Sequence, residues 1–249
     1  MRDGKPAPAT AGASDARNAR RPILLIAGFG DDASMFDGLS DTRLAGTHRL
    51  LPVDLPGFGA PSPGSDTTLA SLARFVAGKA KESGAQIIVA HSVASIIASL
   101  AAQEPGCPIT TILSLEGNIT AEDAYFSGTA ADYDCPDTFK AAFLERLDEM
   151  ASGSPVVARY RGAAAKADSL TLWQLGTDAR RFSEASVPGD ILAAAADVTY
   201  FYNPENCPET TLRWLDRHPM DRIVLENASH WPSVDQPALL ADGIAKALT

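Results

Sequence analysis

The sequence predicts an α/β fold, a mostly parallel sheet of about six strands covered by helices. Three observations carry this. Short apolar or β-branched runs recur at residues 22–27, 48–54, 86–90, 109–115, 198–202 and 221–225. Several are continuous rather than alternating, as expected of strands buried on both faces. Segments of helical period separate most of them, so successive strands need crossovers and run parallel. Finally, the residues suited to chemistry fall just past strand C-termini, the edge where open parallel sheets bind ligands.

Length and composition narrow the possibilities. A chain of 249 residues suits one domain with a small insertion. A net charge of -10 at pH 7 argues against nucleic acid or an anionic membrane as partner and favours a soluble protein, without naming a substrate; the partner expected is a small-molecule substrate. Cys107, Cys135 and Cys207 are scattered, with no CxxC and no Cys/His cluster, so neither zinc nor a disulfide framework is implied. No metal or cofactor is expected. No apolar run is long enough for a transmembrane helix. Residues 1–21 are polar and rich in Ala, Arg, Pro and Gly, without the apolar segment of a secretory signal. They read as a disordered tail on a cytoplasmic protein.

Taken in order, the first strand (22–27) empties into Gly28-Phe29-Gly30-Asp31-Asp32, a tight loop able to turn a backbone N–H towards the sheet edge. A short helix starts near Ser34. The second strand (48–54) leads into Leu55-Pro-Gly-Phe-Gly-Ala-Pro-Ser-Pro63, a loop fixed by Pro and Gly. Residues 67–82 form an amphipathic helix on Leu69, Leu72, Phe75 and Val76, capped by Asp66 or Thr67.

The third strand (86–90) ends in Ala90-His91-Ser92-Val93-Ala94, and a small-residue helix follows to Gln103. Small-x-Ser-x-small between strand and helix is a nucleophile-elbow pattern with alanine in place of both glycines. The strained turn lifts the hydroxyl above the sheet and aims a helix N-terminus at it. A serine that merely caps the helix is the competing reading.

The fourth strand (109–115) ends in Glu116-Gly117-Asn118. Alternation then stops, and residues 119–188 read as a helical cap insertion whose clearest amphipathic piece is 139–147. It resumes with a strand at 198–202, a helix at 208–218, a strand at 221–225, a loop bearing His230 and a closing helix at 236–248. The core is therefore 22–118 together with 189–249.

Ser92, Glu116, His230 and the Phe29 loop thus converge on one sheet edge, and here the chain resembles the α/β-hydrolases. The elbow, the Ala27-Gly-Phe-Gly loop, the Asp54-Leu-Pro-Gly-Phe-Gly loop and Ala228-Ser-His-Trp-Pro occur in that family's order. The resemblance implies Ser92 as nucleophile, His230 as its base, and the N–H groups of Phe29 and Val93 as oxyanion hole. It departs in two places. The family's first two antiparallel strands have no counterpart, and the usual acid position after residues 198–202 is Asn206. Glu116 and Glu205 are the alternative acids. Glu116 is preferred because some family members, haloalkane dehalogenases among them, carry their acid after the preceding strand. His91 is expected to sit behind the elbow, with His48 and His218 outside the site.

The expected activity is cofactor-free hydrolysis of an ester, thioester or lactone, with Phe126, Phe139, Phe143, Trp173 and Leu175 as pocket-lining or packing residues of the cap. Ser92 argues against dehalogenase and epoxide hydrolase chemistry, which resemble this layout but need Asp at the elbow. Haloperoxidase, C–C hydrolase and acyltransferase activities share the Ser–His machinery. The alternative from another class is a receptor or biosynthetic cyclase that uses the pocket without hydrolysis. Oligomeric state stays open.

Overall fold

A computed structural model describes residues 20–64 and 66–249. The tail expected over residues 1–21 lies, up to residue 19, outside the described residues. Six strands form one parallel sheet: β1 (Arg21–Ile26), β2 (His48–Val53), β3 (Ile87–His91), β4 (Thr111–Leu115), β5 (Asp197–Tyr202) and β6 (Asp221–Val224), in the order β2-β1-β3-β4-β5-β6. The first begins at Arg21, one residue earlier than expected.

β3 is buried at every position, which is why its sequence shows no alternation. It is flanked by β1, pairing Ile88 with Leu24, and by β4, pairing Ile88 with Ile112. The chain reaches β2 on one side of β1, then crosses over β1 to build the rest of the sheet on the other side. The strand order therefore reverses between β1 and β3. At such a switch point the two outgoing loops diverge and leave a crevice at the strand C-termini.

Among the described residues, the longer helices that cover or close the sheet are α1 (Leu69–Ser83), α2 (Ala94–Ala102), α6 (Pro188–Ala195), α7 (Glu209–Arg217) and α8 (Pro237–Ala247). The cap of α1 is Thr68, not Asp66 or Thr67. Its hydroxyl accepts from the Ser71 N–H while the Ser71 hydroxyl accepts from the Thr68 N–H, satisfying two donors at once. The displaced Thr67 N–H instead donates to Gln174 Oε1 at 2.8 Å. The Pro/Gly loop after β2 contains an unforeseen two-stranded pairing of Leu55–Pro56 with Gly59–Ala60.

Between β4 and α6 the chain forms two short 3-10 turns, Ala121–Ala124 and Ser127–Asp132, then α3 (Pro136–Ala151), α4 (Pro155–Lys166) and α5 (Ser169–Ala185). The amphipathic pattern expected at 139–147 lies in α3 and buries Phe139, Phe143 and Leu147. The short apolar run 169–175 opens α5, which is capped by Asp168, whose carboxylate accepts from the Thr171 N–H. No described helix is long and apolar enough to cross a membrane.

Candidate active site

The elbow is built as its residue sizes require. Ser92 has φ of +54°, a left-handed conformation that costs a non-glycine residue energy and persists only where its surroundings enforce it. They do so here: the Ser92 N–H donates to Leu115 O at 2.9 Å, and Ala90 and Ala94 are fully buried on either side. Glu116, one strand over, repeats the device. Its φ is +48°, and its N–H donates to Phe201 O at 2.8 Å.

The loop after β1 closes on the elbow from the other side of the crevice. A Cβ added at Gly28 would lie 2.9 Å from Ser92 Cβ and 2.8 Å from His91 Nδ1, so only glycine allows this approach. Among the described residues, no protein acceptor is found for the N–H of Phe29 or of Val93. Donors left free beside a serine hydroxyl are what a developing oxyanion requires.

Glu116 is buried. Its Oε1 accepts from the Asn203 N–H at 2.7 Å and from Asn206 Nδ2 at 3.2 Å, and its Oε2 lies 3.7 Å from His230 Nδ1. These bonds compensate a carboxylate held away from water. The same asparagines grip the histidine loop, since Asn203 Nδ2 and Asn206 Nδ2 both donate to Ala228 O, at 2.8 and 3.2 Å. Asn206, at the position where the family usually has its acid, serves the neighbouring acid as a donor. Glu205 is exposed, and its bond is a backbone one, from its N–H to Asn203 Oδ1.

His230 is held at three points. Its carbonyl accepts from His91 Nε2 at 2.7 Å, its Nδ1 faces Glu116, and the Tyr125 hydroxyl lies 3.2 Å from the same Nδ1. Burial, and then the neighbouring His230, keep the His91 imidazole well below its usual pKa. It is therefore neutral and, because a carbonyl can only accept, carries its proton on Nε2. This places His91 behind the elbow, bridging Ser92 to the histidine loop. The Tyr125 phenol is pushed up by burial and by the Glu116 carboxylate, so it stays protonated. Among the described residues, Ser92 Oγ makes no hydrogen bond to His230; catalytic bonds are often loose without substrate.

Residues 119–188 meet the site through aromatic rings. Phe139 and Phe143 stack with centroids 5.6 Å apart, and Phe143 sits edge-on to Phe29 at 5.6 Å. Phe126 reaches Trp231, the residue after His230, at 6.2 Å. Trp173, expected beside them, turns its Nε1 to Tyr133 O at 2.8 Å, and Leu175 is buried. Tyr125, Asn203 and the α4 residues Arg159 and Tyr160 had no visible signal in the sequence, because their roles depend on contacts between distant segments.

Comparison with known proteins agrees with this architecture. Residues 23–243 match the alpha/beta hydrolase family, and the chain belongs to it. A search of curated proteins finds no match. Among solved structures the chain is similar to a thermophilic esterase from Thermogutta terrifontis, at 19% identity over 92% of this chain and 89% of that one, with a TM-score of 0.71. It is also similar to an esterase from Exiguobacterium antarcticum, at 14% identity over 92% of each chain and a TM-score of 0.71. A third is 1H-3-hydroxy-4-oxoquinoline 2,4-dioxygenase, at 15% identity over 93% of each chain and a TM-score of 0.71. At these identities the likeness is one of fold.

Proposed function

We propose that the chain is a cofactor-free serine hydrolase of the cytoplasm that cleaves an ester, thioester or lactone of a small molecule through an acyl-enzyme. Residues 119–188 act as its cap. The observation that carries the reading is the strained Ser92, at φ of +54°, on a sheet edge it shares with His230, Glu116 and the Phe29 loop.

In this reading Ser92 Oγ attacks the carbonyl carbon as its proton passes to His230 Nε2. The tetrahedral oxyanion is stabilised by the N–H groups of Phe29 and Val93, and the imidazolium by the Glu116 carboxylate on its Nδ1 side. Collapse expels the alcohol or thiol, which takes the proton from His230. Water, activated by the same imidazole, then releases the acid and restores Ser92.

The test is labelling with a fluorophosphonate, mapping of the adduct, and turnover of p-nitrophenyl esters of rising chain length. An adduct on Ser92 that is lost in His230→Ala is the expected result. One observation favours a second reading, a receptor or biosynthetic cyclase using the same pocket: Ser92 Oγ has no hydrogen bond to His230, whose Nδ1 is shared with Tyr125. Absence of any adduct between pH 6 and 9, with retained small-molecule binding, selects it.

A further inference from the structure

The oxyanion loop is gripped by one helix of the cap. Tyr160, on α4, donates its hydroxyl to Phe29 O at 2.6 Å, and the two groups are buried. Next to it on the same helix, Arg159 pairs with Asp31 and Asp32 and donates to Ser34 Oγ at 2.8 Å. Three residues of one short loop, and Ser34 in the 3-10 helix that follows it (Ala33–Asp41), are thus tied to two consecutive residues of α4. The far end of the loop is also held from outside the cap, by Asp54 accepting from the Ala33 N–H at 2.7 Å and by Asp32 accepting from the Ser34 N–H at 3.0 Å, but the turn at Phe29 has less to fix it. Gly30 sits at φ of +70°, and a single backbone bond, Asp31 N–H to Gly28 O at 3.2 Å, closes the turn. The Tyr160 ring also touches Trp231, at a centroid distance of 4.8 Å. One side chain therefore spans from the loop carrying the Phe29 donor to the loop carrying His230.

We propose that Tyr160 is a positioning residue of the oxyanion hole, its hydroxyl fixing the Phe29 backbone so that the Phe29 N–H faces the Ser92 reaction centre, with Arg159 anchoring the loop beyond it. The proposal rests on the hydrolase reading. A carbonyl held by a buried phenol leaves Phe29 little freedom in ψ, and the peptides on either side move together. Preorganisation of this kind affects the transition state and leaves ground-state binding alone. The cap is then part of the catalytic frame as well as a cover.

The experiment compares Tyr160→Phe with the wild-type enzyme and with Tyr133→Phe, a phenylalanine control elsewhere on the cap. It reads p-nitrophenyl ester kinetics, thermal melting and hydrogen exchange of the Asp31 amide. The proposal expects Tyr160→Phe to lose kcat by roughly tenfold to a hundredfold, the size of a well-placed hydrogen bond, with KM within about twofold. Its Asp31 amide should exchange faster, and Tyr133→Phe should match wild type. Wild-type kcat and exchange in Tyr160→Phe overturn it. A loss of kcat that is matched in Tyr133→Phe, or that comes with an unchanged Asp31 amide, also overturns it. If the wild-type protein neither labels with fluorophosphonate nor turns over esters, the hydrolase reading falls and takes the catalytic role of Tyr160 with it. The exchange comparison then shows whether the loop clamp exists by itself.

Discussion

Replacing Glu116 by glutamine tests the assignment of the acid. The change keeps size, the left-handed backbone and an acceptor for the Asn203 N–H, while removing the charge 3.7 Å from His230 Nδ1. At that distance, with an effective dielectric of about 20, a carboxylate stabilises an imidazolium by about 4 kcal/mol. That corresponds to roughly a thousandfold in kcat, since His230 carries the positive charge only as the reaction proceeds. The loss should appear in kcat with KM nearly unchanged, measured with a p-nitrophenyl ester across pH 6 to 9. A melting curve should show the variant folded. Glu205→Gln, at an exposed residue, should behave as wild type. The assignment fails if Glu116→Gln keeps kcat within about fivefold while Glu205→Gln collapses it.

Three further outcomes follow from the geometry. Ser92→Gly places at φ of +54° the residue that adopts it freely, and should raise stability by about 1 kcal/mol while abolishing fluorophosphonate labelling; a lower melting temperature would contradict a strained elbow. Gly28→Ala drives a Cβ to 2.9 Å from Ser92 Cβ, and should cost about 1–3 kcal/mol in stability and most of the turnover. Denaturant titration with an ester assay checks both parts, and a wild-type result would mean the loop is free to move away. Burial, which outweighs the Arg159 guanidinium beside it, pushes the Asp31 carboxyl up to about 6 from 3.8. Between those values the folded chain holds a proton that the unfolded chain has lost, so this group's contribution to stability falls as pH rises. Relative to wild type, Asp31→Asn should gain on the order of 3 kcal/mol between pH 4 and 7, and a gap flat with pH would disprove the linkage.

The parts of the molecule legible in the sequence are those set by local pattern. The apolar runs gave all six strands to within two residues at each end, most plainly at β3, where burial on both faces leaves no room for polar alternation, and less plainly at the edge strands β2 and β6, which are half-buried or exposed. Ser92, Glu116 and His230 could be placed at strand ends for the same reason. What stayed hidden depends on segments meeting. In the sequence Asn206 is only a departure at the acid position; in the fold its amide donates to Glu116 Oε1 at 3.2 Å. Tyr160 is one of several residues in an alanine-rich stretch, and nothing in Val-Val-Ala-Arg-Tyr announces a bond to a carbonyl 131 positions away. The helix containing it was unseen even though Ser154 and Pro155 form a start signal, with the Ser154 hydroxyl accepting from the Val157 N–H at 3.3 Å. The helix has little apolar contrast to carry that signal on.

The backbone bonds at the sheet edge form a series. Ser92 N–H is bonded to Leu115 O, Glu116 N–H to Phe201 O, and Leu225 N–H to Tyr202 O, so each exit is stitched to the last residues of the neighbouring strand. Ser92, Glu116 and the start of the His230 loop therefore share one seam with the ladder of the sheet itself. None of the three can wander without shearing strands apart, so the site should persist for as long as the sheet does. Residues 119–188 contribute the aromatic wall but take no part in that seam, so change there can proceed without loosening the sheet edge.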